Sequence, residues 1–263
     1  GLGSIGRRHA KNIHQLGYTG EAYDPSESAK KFAKNNGIIT VERKKLLEKS
    51  DALVISGPTS ERLTDLGDAV EAGCHIFVEK PISFEIKKTK KILFSAEEKK
   101  LIVFAALNLR FNPVVVDAKG LIKEHFTKNI NWALFQSSHY LPKWRPDQDY
   151  RRGYTADIKT GGVMLDIIHE FDLANFLLGS AEVAFASAKN SGQLEIPSED
   201  SADIVLDHGN QLTSTIHLDY ITQPTRRCFS IGGVGGIMDV DLVGRSIKFP
   251  QTSFHCKKAN INH

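Results

Sequence analysis

Cysteine is scarce in this chain of 263 residues, and the three present, Cys74, Cys228 and Cys256, form no C-x-x-C pair. An odd, scattered set argues against a disulfide framework and suits a reducing cytoplasm, so a cytoplasmic protein is expected. No apolar run approaches the roughly 20 residues needed to cross a bilayer, and no membrane partner is expected. The chain also lacks a strong charge of either sign: its formal net charge is +3, too small to point to nucleic acid. The densest basic run, Lys87-Lys88-Thr89-Lys90-Lys91, sits beside Ile86, Ile92, Leu93 and Ala96. That spacing reads as an amphipathic helix with a solvated lysine face. Internal repeats and low-complexity linkers are missing, as is an initiator Met, which leaves a removed leader open. What remains, 41% hydrophobic and 25% charged residues, is an ordinary globular composition, enough for one large domain or two smaller ones.

Glycine, by contrast, is present from the first residue. Gly1-Leu2-Gly3-Ser4-Ile5-Gly6 is a G-x-G-x-x-G pattern, weak by itself because glycine-rich turns are common. A strand normally precedes such a turn, so a first strand is expected ahead of Gly1, outside this sequence. Three neighbouring features strengthen a nucleotide reading. A helix, Arg8 to Leu16, follows at once and would set its N-terminal dipole and free N–H groups against a pyrophosphate. Asp24 closes the next strand, Glu21 to Asp24, where a carboxylate accepts hydrogen bonds from the adenosine ribose. Strands and helices then keep alternating: helix Ser26 to Asn36 with Ser26 as its cap, strand Ala52 to Ser56, helix Glu61 to Ala72, strand Ile76 to Val78, helix Phe84 to Lys99, strand Leu101 to Ala106. Crossovers of this size imply a doubly wound parallel sheet. A dinucleotide is expected on Gly1, Gly3, Ser4, Ile5 and Gly6. Asp24 would repel the 2′-phosphate of NADP and so favours NAD, a preference that Arg7 and Arg8 could temper. The other reading of Asp24 is a turn aspartate before Pro25.

Directly after the strand HIFV comes Glu79-Lys80-Pro81-Ile82-Ser83. Ligands bind at the carboxyl ends of strands in open parallel sheets, which puts Lys80 where chemistry would occur. A lysine beside a nicotinamide can hold a substrate hydroxyl and favour its developing oxyanion. GLGSIGRRH, Pro58-Thr59 after a buried strand, AGCHIFVEKPIS and LNLRFNP at Leu107 to Pro113 together resemble the Gfo/Idh/MocA oxidoreductases, through nearly the whole chain. The resemblance implies NAD(P)-dependent oxidation or reduction of a sugar-like alcohol by a Rossmann domain, residues 1–107, followed by a substrate-binding and oligomerisation domain, residues 108–263, built on an open, mostly antiparallel sheet. It adds Pro58, Thr59, Glu79, Lys80 and Arg110 to the cofactor-binding residues and Asn108 to the substrate-binding ones. Two departures stand out: the expected first strand lies outside this sequence, and the chain stops at His263, before the family's usual final elements.

Past Asn112-Pro113, where a helix to Phe126 is expected, the strands lengthen and alternate. Leu212, Ser214, Ile216, Leu218 and Tyr220 share one face, and Thr213, Thr215, His217 and Asp219 the other. His208-Gly209-Asn210 and Gly232 to Gly236 read as hairpin turns. Between them and the first long strand lies Gly161-Gly162, then a helix expected over Val163 to Leu178. Asp166, His169 and Asp172 recur every three residues as a polar stripe beside an apolar one of Val163, Ile167, Phe171 and Ala174. Such a stripe must face water, a partner or a cleft. A metal site is disfavoured, because no Cys or further His lies nearby in sequence, and a solvated stripe and a catalytic face stay as alternatives. The family's second catalytic element has this form, glycines, aspartate, histidine, although its usual spacing is Asp-x-x-x-His and here it is Asp-x-x-His. The resemblance therefore implies His169 as general base, Asp166 as the group orienting sugar or imidazole, and Lys80 on the reacting oxygen.

The segment His139 to Tyr154, HYLPKWRPDQDYRRGY, is crowded with aromatic and arginine side chains that suit a sugar ring or a phosphate. It resembles family members tied to lipopolysaccharide and sialic-acid pathways. Tyr140, Trp144, Arg145, Tyr150 and Arg151 are taken as substrate-binding with Lys80, Asn108, Asp166 and His169; a packing loop is the other reading. The expected protein is an NAD-dependent oxidoreductase acting on a sugar, with a nucleotide sugar as one substrate class, and as a homo-oligomer, dimer or tetramer. The alternatives are an inositol- or dihydrodiol-type dehydrogenase and a non-catalytic dinucleotide-binding sensor.

Overall fold

The computed structural model of the protein describes residues 1–126, 130–144, 146–234, 236–249 and, as backbone, 252–255. The chain divides into two units, Gly1–Ala106 and a second starting at Leu107.

The first unit alternates helices α1 (Ser4–Gln15), α2 (Glu27–Asn35), α3 (Arg43–Lys49), α4 (Thr59–Glu71) and α5 (Ile86–Glu98) with strands β1 (Glu21–Ala22), β2 (Ile39–Thr40), β3 (Ala52–Ile55), β4 (His75–Val78) and β5 (Val103–Ala105). All pairings are parallel, β1 with β2 and β3-β4-β5 in a second sheet. Ser26 caps α2, its Oγ accepting the Ala29 N–H at 3.3 Å. Two elements were absent from the sequence reading, β2 and α3. Ile55, Leu66, Ala69, Val70, Ile76, Val78 and Ala96 form the core between sheet and helices. The lysine-rich α5 buries Ala96 and packs Ile92 there, but Ile86 is 68% exposed and does not share the apolar stripe expected of it.

In the second unit, α6 (Pro113–His125) is followed by β6 (Ile130–Ser138), α7 (Leu141–Trp144), two 3-10 turns (Tyr150–Arg152 and Tyr154–Ala156), α8 (Val163–Asp166) and α9 (His169–Leu178). Strands β7 (Glu182–Lys189), β8 (Ser201–Asp207), β9 (Thr213–Asp219), β10 (Arg226–Gly233), β11 (Gly236–Asp241), β12 (Ser246–Phe249) and β13 (Thr252–His255) complete it. They join one eight-stranded sheet in the order β13-β12-β11-β10-β6-β9-β8-β7, in which only β6 and β9 run parallel. Asn112 and Pro113 start α6 as the sequence suggests: the Asn112 side chain accepts the Val114 N–H at 3.0 Å, and proline takes the first turn, where no N–H is missed. One sheet face buries Phe135, Ile216, Leu218, Phe229, Ile231 and Met238 in a core with Val114, Val115 and Ala118 of α6 and Leu173 and Ala174 of α9.

Two expectations are corrected here. Gly232 lies within β10, paired with Ile237, rather than in a turn, and the Trp132 ring occupies the space a side chain there would need. The helix expected over Val163 to Leu178 is broken: Ile167 leaves helical angles (φ −98°, ψ 42°) and α9 begins anew at His169. Two adjacent β-branched isoleucines favour the break, and the first turn is tied elsewhere, the Val163 N–H donating to Glu199 O at 3.1 Å. Among the described residues no helix is long and apolar enough to cross a membrane.

Candidate active site

In the first unit the glycine turn runs straight into α1. A Cβ on Gly6 would lie 2.1 Å from Gly1 O, so only glycine closes the turn there. A Cβ on Gly3 would meet nothing within 4 Å, which leaves an open approach to the first N–H groups of α1, and no side chain caps them. A pyrophosphate fits such a place, because uncapped N–H groups and the helix dipole both favour an anion. Ser4 and Ile5 form the first residues of this helix. Asp24 accepts the Leu2 N–H on Oδ2 at 2.7 Å, and Oδ1 accepts the N–H and hydroxyl of Ser26 at 2.9 and 2.8 Å. Burial pushes the Asp24 carboxyl up, but these donors outweigh it and hold the group below the usual range. Asp24 is thus a turn aspartate as well as a candidate ribose partner. Arg7, expected to temper the cofactor preference, is used within the unit: its Nε donates to Leu2 O at 2.9 Å and its guanidinium lies 4.7 Å from the centre of the Phe32 ring. Arg8 is exposed.

Strand β4 delivers Glu79, Lys80 and Pro81 at its carboxyl end, and Pro58 and Thr59 start α4 just past β3. The Lys80–Pro81 peptide is cis. The Glu79 carboxylate is buried; Oε1 bonds His9 Nε2 at 2.7 Å and Oε2 accepts the Lys80 N–H at 3.2 Å. Sequence reasoning missed Arg62. From α4 its buried guanidinium donates to Gly57 O (2.9 Å), Glu79 O (3.4 Å) and Pro81 O (2.7 Å), tying the ends of β3 and β4 together around Lys80. A lone arginine inside a helix gives no signal for this role.

Burial raises the Glu79 carboxyl, but His9, the Lys80 N–H and Arg62 together pull it below its ordinary value near 4.5. A depressed carboxyl adds stability above the unfolded value, and that stability is lost as pH falls through the lower folded value. His9→Phe removes the strongest of the lowering partners, so its acid unfolding midpoint, read by circular dichroism, is expected at higher pH than that of the unmodified protein. An unchanged midpoint would mean that His9 does not hold Glu79.

In the second unit the structure gathers Asp166, Tyr154, Tyr220, Trp144 and His139. Asp166 is buried; its Oδ1 accepts the Tyr154 hydroxyl at 2.9 Å and its Oδ2 the Tyr220 hydroxyl at 3.2 Å. Burial, with Asp166 beside it, drives the Tyr220 hydroxyl pKa far up, so it stays a donor. The Trp144 ring stacks on His139 at 5.6 Å and 5° and lies 6.1 Å from Tyr220. Burial and Arg227 push His139 down, against the pull of Asp219 and Asp166. His169 is half-buried at the start of α9, and Tyr140 is half-buried against the core.

Other expected residues sit differently. Asp172, third in the proposed polar stripe, is buried and holds Arg110 through bifurcated bonds from Nε at 3.0 and 2.9 Å and a further contact from Nη2. The stripe is therefore partly an internal ion pair, and Arg110 is engaged from the same turn that carries Asn108. Arg151 donates to Asp149 at 2.9 Å and Glu195 at 3.0 Å. Arg145 lies outside the described residues. Glu170, missed by the sequence reading, is 2% exposed and pairs in a two-point fork with Arg227 of β10 at 2.7 and 3.0 Å. Among the described residues no group of three or more His, Cys, Asp or Glu could hold a metal ion.

A parallel α/β unit with an open glycine turn at a helix start, followed by a unit on a broad, mostly antiparallel sheet, is the architecture of a two-domain dinucleotide-binding oxidoreductase. The chain belongs to the Gfo/Idh/MocA family: residues 1–107 match the family's NAD-binding Rossmann-fold model and residues 128–239 its C-terminal domain model. It is 29% identical over 229 residues to the uncharacterized oxidoreductase YrbE of Bacillus subtilis, covering 82% of this chain and 64% of that protein. It is 27% identical to the inositol 2-dehydrogenase of Rhizobium meliloti over 70% of this chain and 55% of that protein. The chain thus spans somewhat over half the length of these curated relatives. Its fold matches that of the WlbA dehydrogenase from Bordetella pertussis, solved with NADH and UDP-GlcNAcA, with a TM-score of 0.83 at 20% identity over 99% of this chain and 77% of that one.

Proposed function

We propose that this protein is an NAD-dependent dehydrogenase that oxidises or reduces a secondary alcohol on a sugar or cyclitol ring. The observation that carries the reading is the glycine turn, closed at Gly6, open at Gly3, with Asp24 bonded to its backbone. Gly1, Gly3, Ser4, Ile5, Gly6, Asp24, Pro58, Thr59 and Glu79 would hold the cofactor, which supplies a two-electron acceptor for hydride when bound. Arg110 is withdrawn from that set as a free cation, because Asp172 holds it. Lys80 binds the reacting oxygen and His169 takes or returns the hydroxyl proton. Asp166, fixed by two tyrosine hydroxyls, is a preset acceptor for a substrate hydroxyl. Cys74 and Cys228 are free thiols, which supports work in a reducing cytoplasm.

The experiment is cofactor titration. The full-length protein binds NADH more tightly than NADPH, and Asp24→Ala narrows the gap by roughly 1–2 kcal/mol, the scale of a charge-assisted hydrogen bond plus lost repulsion. Equal binding of both cofactors by the unmodified protein would sink the NAD preference. The same reading takes the chain to be a homo-oligomer. Leu134, Phe185 and Ile237 are exposed on the sheet face opposite the helices, an apolar area that supports self-association. A monomer by light scattering would overturn that part.

A further inference from the structure

The carbonyls that flank Lys80 share one donor. Arg62 of α4 is 8% exposed, and its Nη1 donates to Glu79 O at 3.4 Å and to Pro81 O at 2.7 Å. Its Nε donates to Gly57 O at 2.9 Å. We infer that Arg62 is the positioning residue for Lys80, holding the lysine backbone at a set place relative to the glycine turn. The inference deepens the proposed function and rests on its placing of Lys80 at the reacting oxygen.

The three acceptors belong to two stretches that a dehydrogenase must keep in register. Gly57 follows β3 and lies against the glycine turn: a Cβ on Gly1 would come within 3.2 Å of Gly57 Cα and N. Glu79 and Pro81 lie past the end of β4, on either side of Lys80. A further hold comes from α1. The Glu79 carboxylate bonds His9 Nε2 at 2.7 Å through Oε1 and accepts the Lys80 N–H at 3.2 Å through Oε2. Helices α4 and α1 therefore both fix the Lys80 backbone, which leaves its side-chain rotamers as the freedom still to be settled. The effect on rate is large, because a misplacement of about 1 Å at a reacting centre costs up to about 10².

A guanidinium suits this task better than an ammonium. Its donors are set in a rigid plane, so one group reaches carbonyls on two strand ends with fixed angles between them, whereas a lysine carries a point charge on a flexible stem. The cofactor's own seat is held by other groups. The Ser56 hydroxyl donates to Gly1 O at 2.9 Å, and the Leu2 N–H donates to Asp24 at 2.7 Å. Loosening Arg62 is therefore expected to change turnover and to leave cofactor affinity alone.

A double-mutant cycle with Lys80→Ala tests this, read as turnover and NADH affinity of the full-length protein. Arg62→Lys keeps a cation in the buried place and lowers kcat about tenfold, with KM and NADH affinity within about twofold of the unmodified protein. In the Lys80→Ala background the same substitution changes kcat by less than about twofold, since Arg62 then has no lysine to position. A tenfold loss in both backgrounds, or a parallel loss of NADH affinity, overturns the inference, because a merely structural role would act with or without Lys80. Arg62→Ala adds a rescue arm: millimolar guanidinium chloride restores part of kcat, equal sodium chloride does not, and neither restores it in Arg62→Ala/Lys80→Ala. If Arg62→Ala does not fold, the Arg62→Lys cycle decides alone. Hydrogen exchange of the peptide Glu79 to Ser83 reads the clamp without turnover, and Arg62→Lys is expected to speed it. Unchanged exchange overturns the clamp whatever the kinetics. Faster exchange in a protein that turns over nothing would count against the dehydrogenase reading and support the clamp.

Discussion

Lys80→Ala and His169→Ala each lower turnover by about 10² or more and leave NADH affinity nearly unchanged. In the proposed reading both side chains act on the substrate, one on the reacting oxygen and one on its proton, and a positioned general base alone accounts for a factor of about 10²–10⁴. The same reading places the cofactor's adenosine half on the glycine turn and Asp24, which neither substitution touches. Steady-state kinetics with NADH titration separate the two effects. The backbone around Lys80 is clamped by Arg62, which donates to the carbonyls of Glu79 and Pro81. Full turnover in His169→Ala across pH would move the base to Asp166.

Gly161→Ala is expected to cost about 3 kcal/mol, at the upper end for overpacking. A Cβ there would lie 2.2 Å from Tyr154 O and 2.6 Å from Thr155 O, backbone atoms that cannot swing aside. The Gly162 N–H donates to Thr155 O at 2.9 Å and the Gly161 N–H to Asp157 O at 2.8 Å, so the strand of chain entering α8 is pinned against the 3-10 turn. The unfolding temperature should drop by roughly 6–12 °C, and because Tyr154 belongs to the same turn, activity falls with it. Gly120→Ala in α6, where a Cβ meets nothing within 4 Å, is the matched control and should be neutral or slightly stabilising. Equal melting of both variants would contradict the close approach at Gly161.

The sequence carried what local rules write. Ser26 and Asn112-Pro113 announce helix starts through hydrogen bonds made within a few residues, and both are found in place, whereas the helix expected from Arg8 starts at Ser4, directly on the glycine turn. Alternation in β9 revealed the buried face of Ser214, Ile216 and Leu218. What was hidden depends on partners far along the chain. The helix break at Ile167 is invisible because Val163, Ile167, Phe171 and Ala174 keep an apolar period straight through it. Helix α3 is short, charged and buries no residue, so no periodicity marks it. Arg151 looked available to a ligand since Glu195, 44 residues on, could not be seen as its neighbour. Arg62, Glu170 and Tyr220 likewise acquire their roles only from the tertiary structure. The sequence reading of Lys80, Asp166 and His169 as catalytic remains a proposal for mutagenesis to decide.

The most direct measurement is nicotinamide absorbance on mixing the full-length protein and NAD with a panel of sugars, cyclitols and nucleotide sugars. The account predicts that at least one ring alcohol reduces NAD, with a rate that His169→Ala lowers by about 10². Tight NADH binding with no turnover of any member of the panel, in either direction, would contradict it and make the protein a dinucleotide-binding sensor.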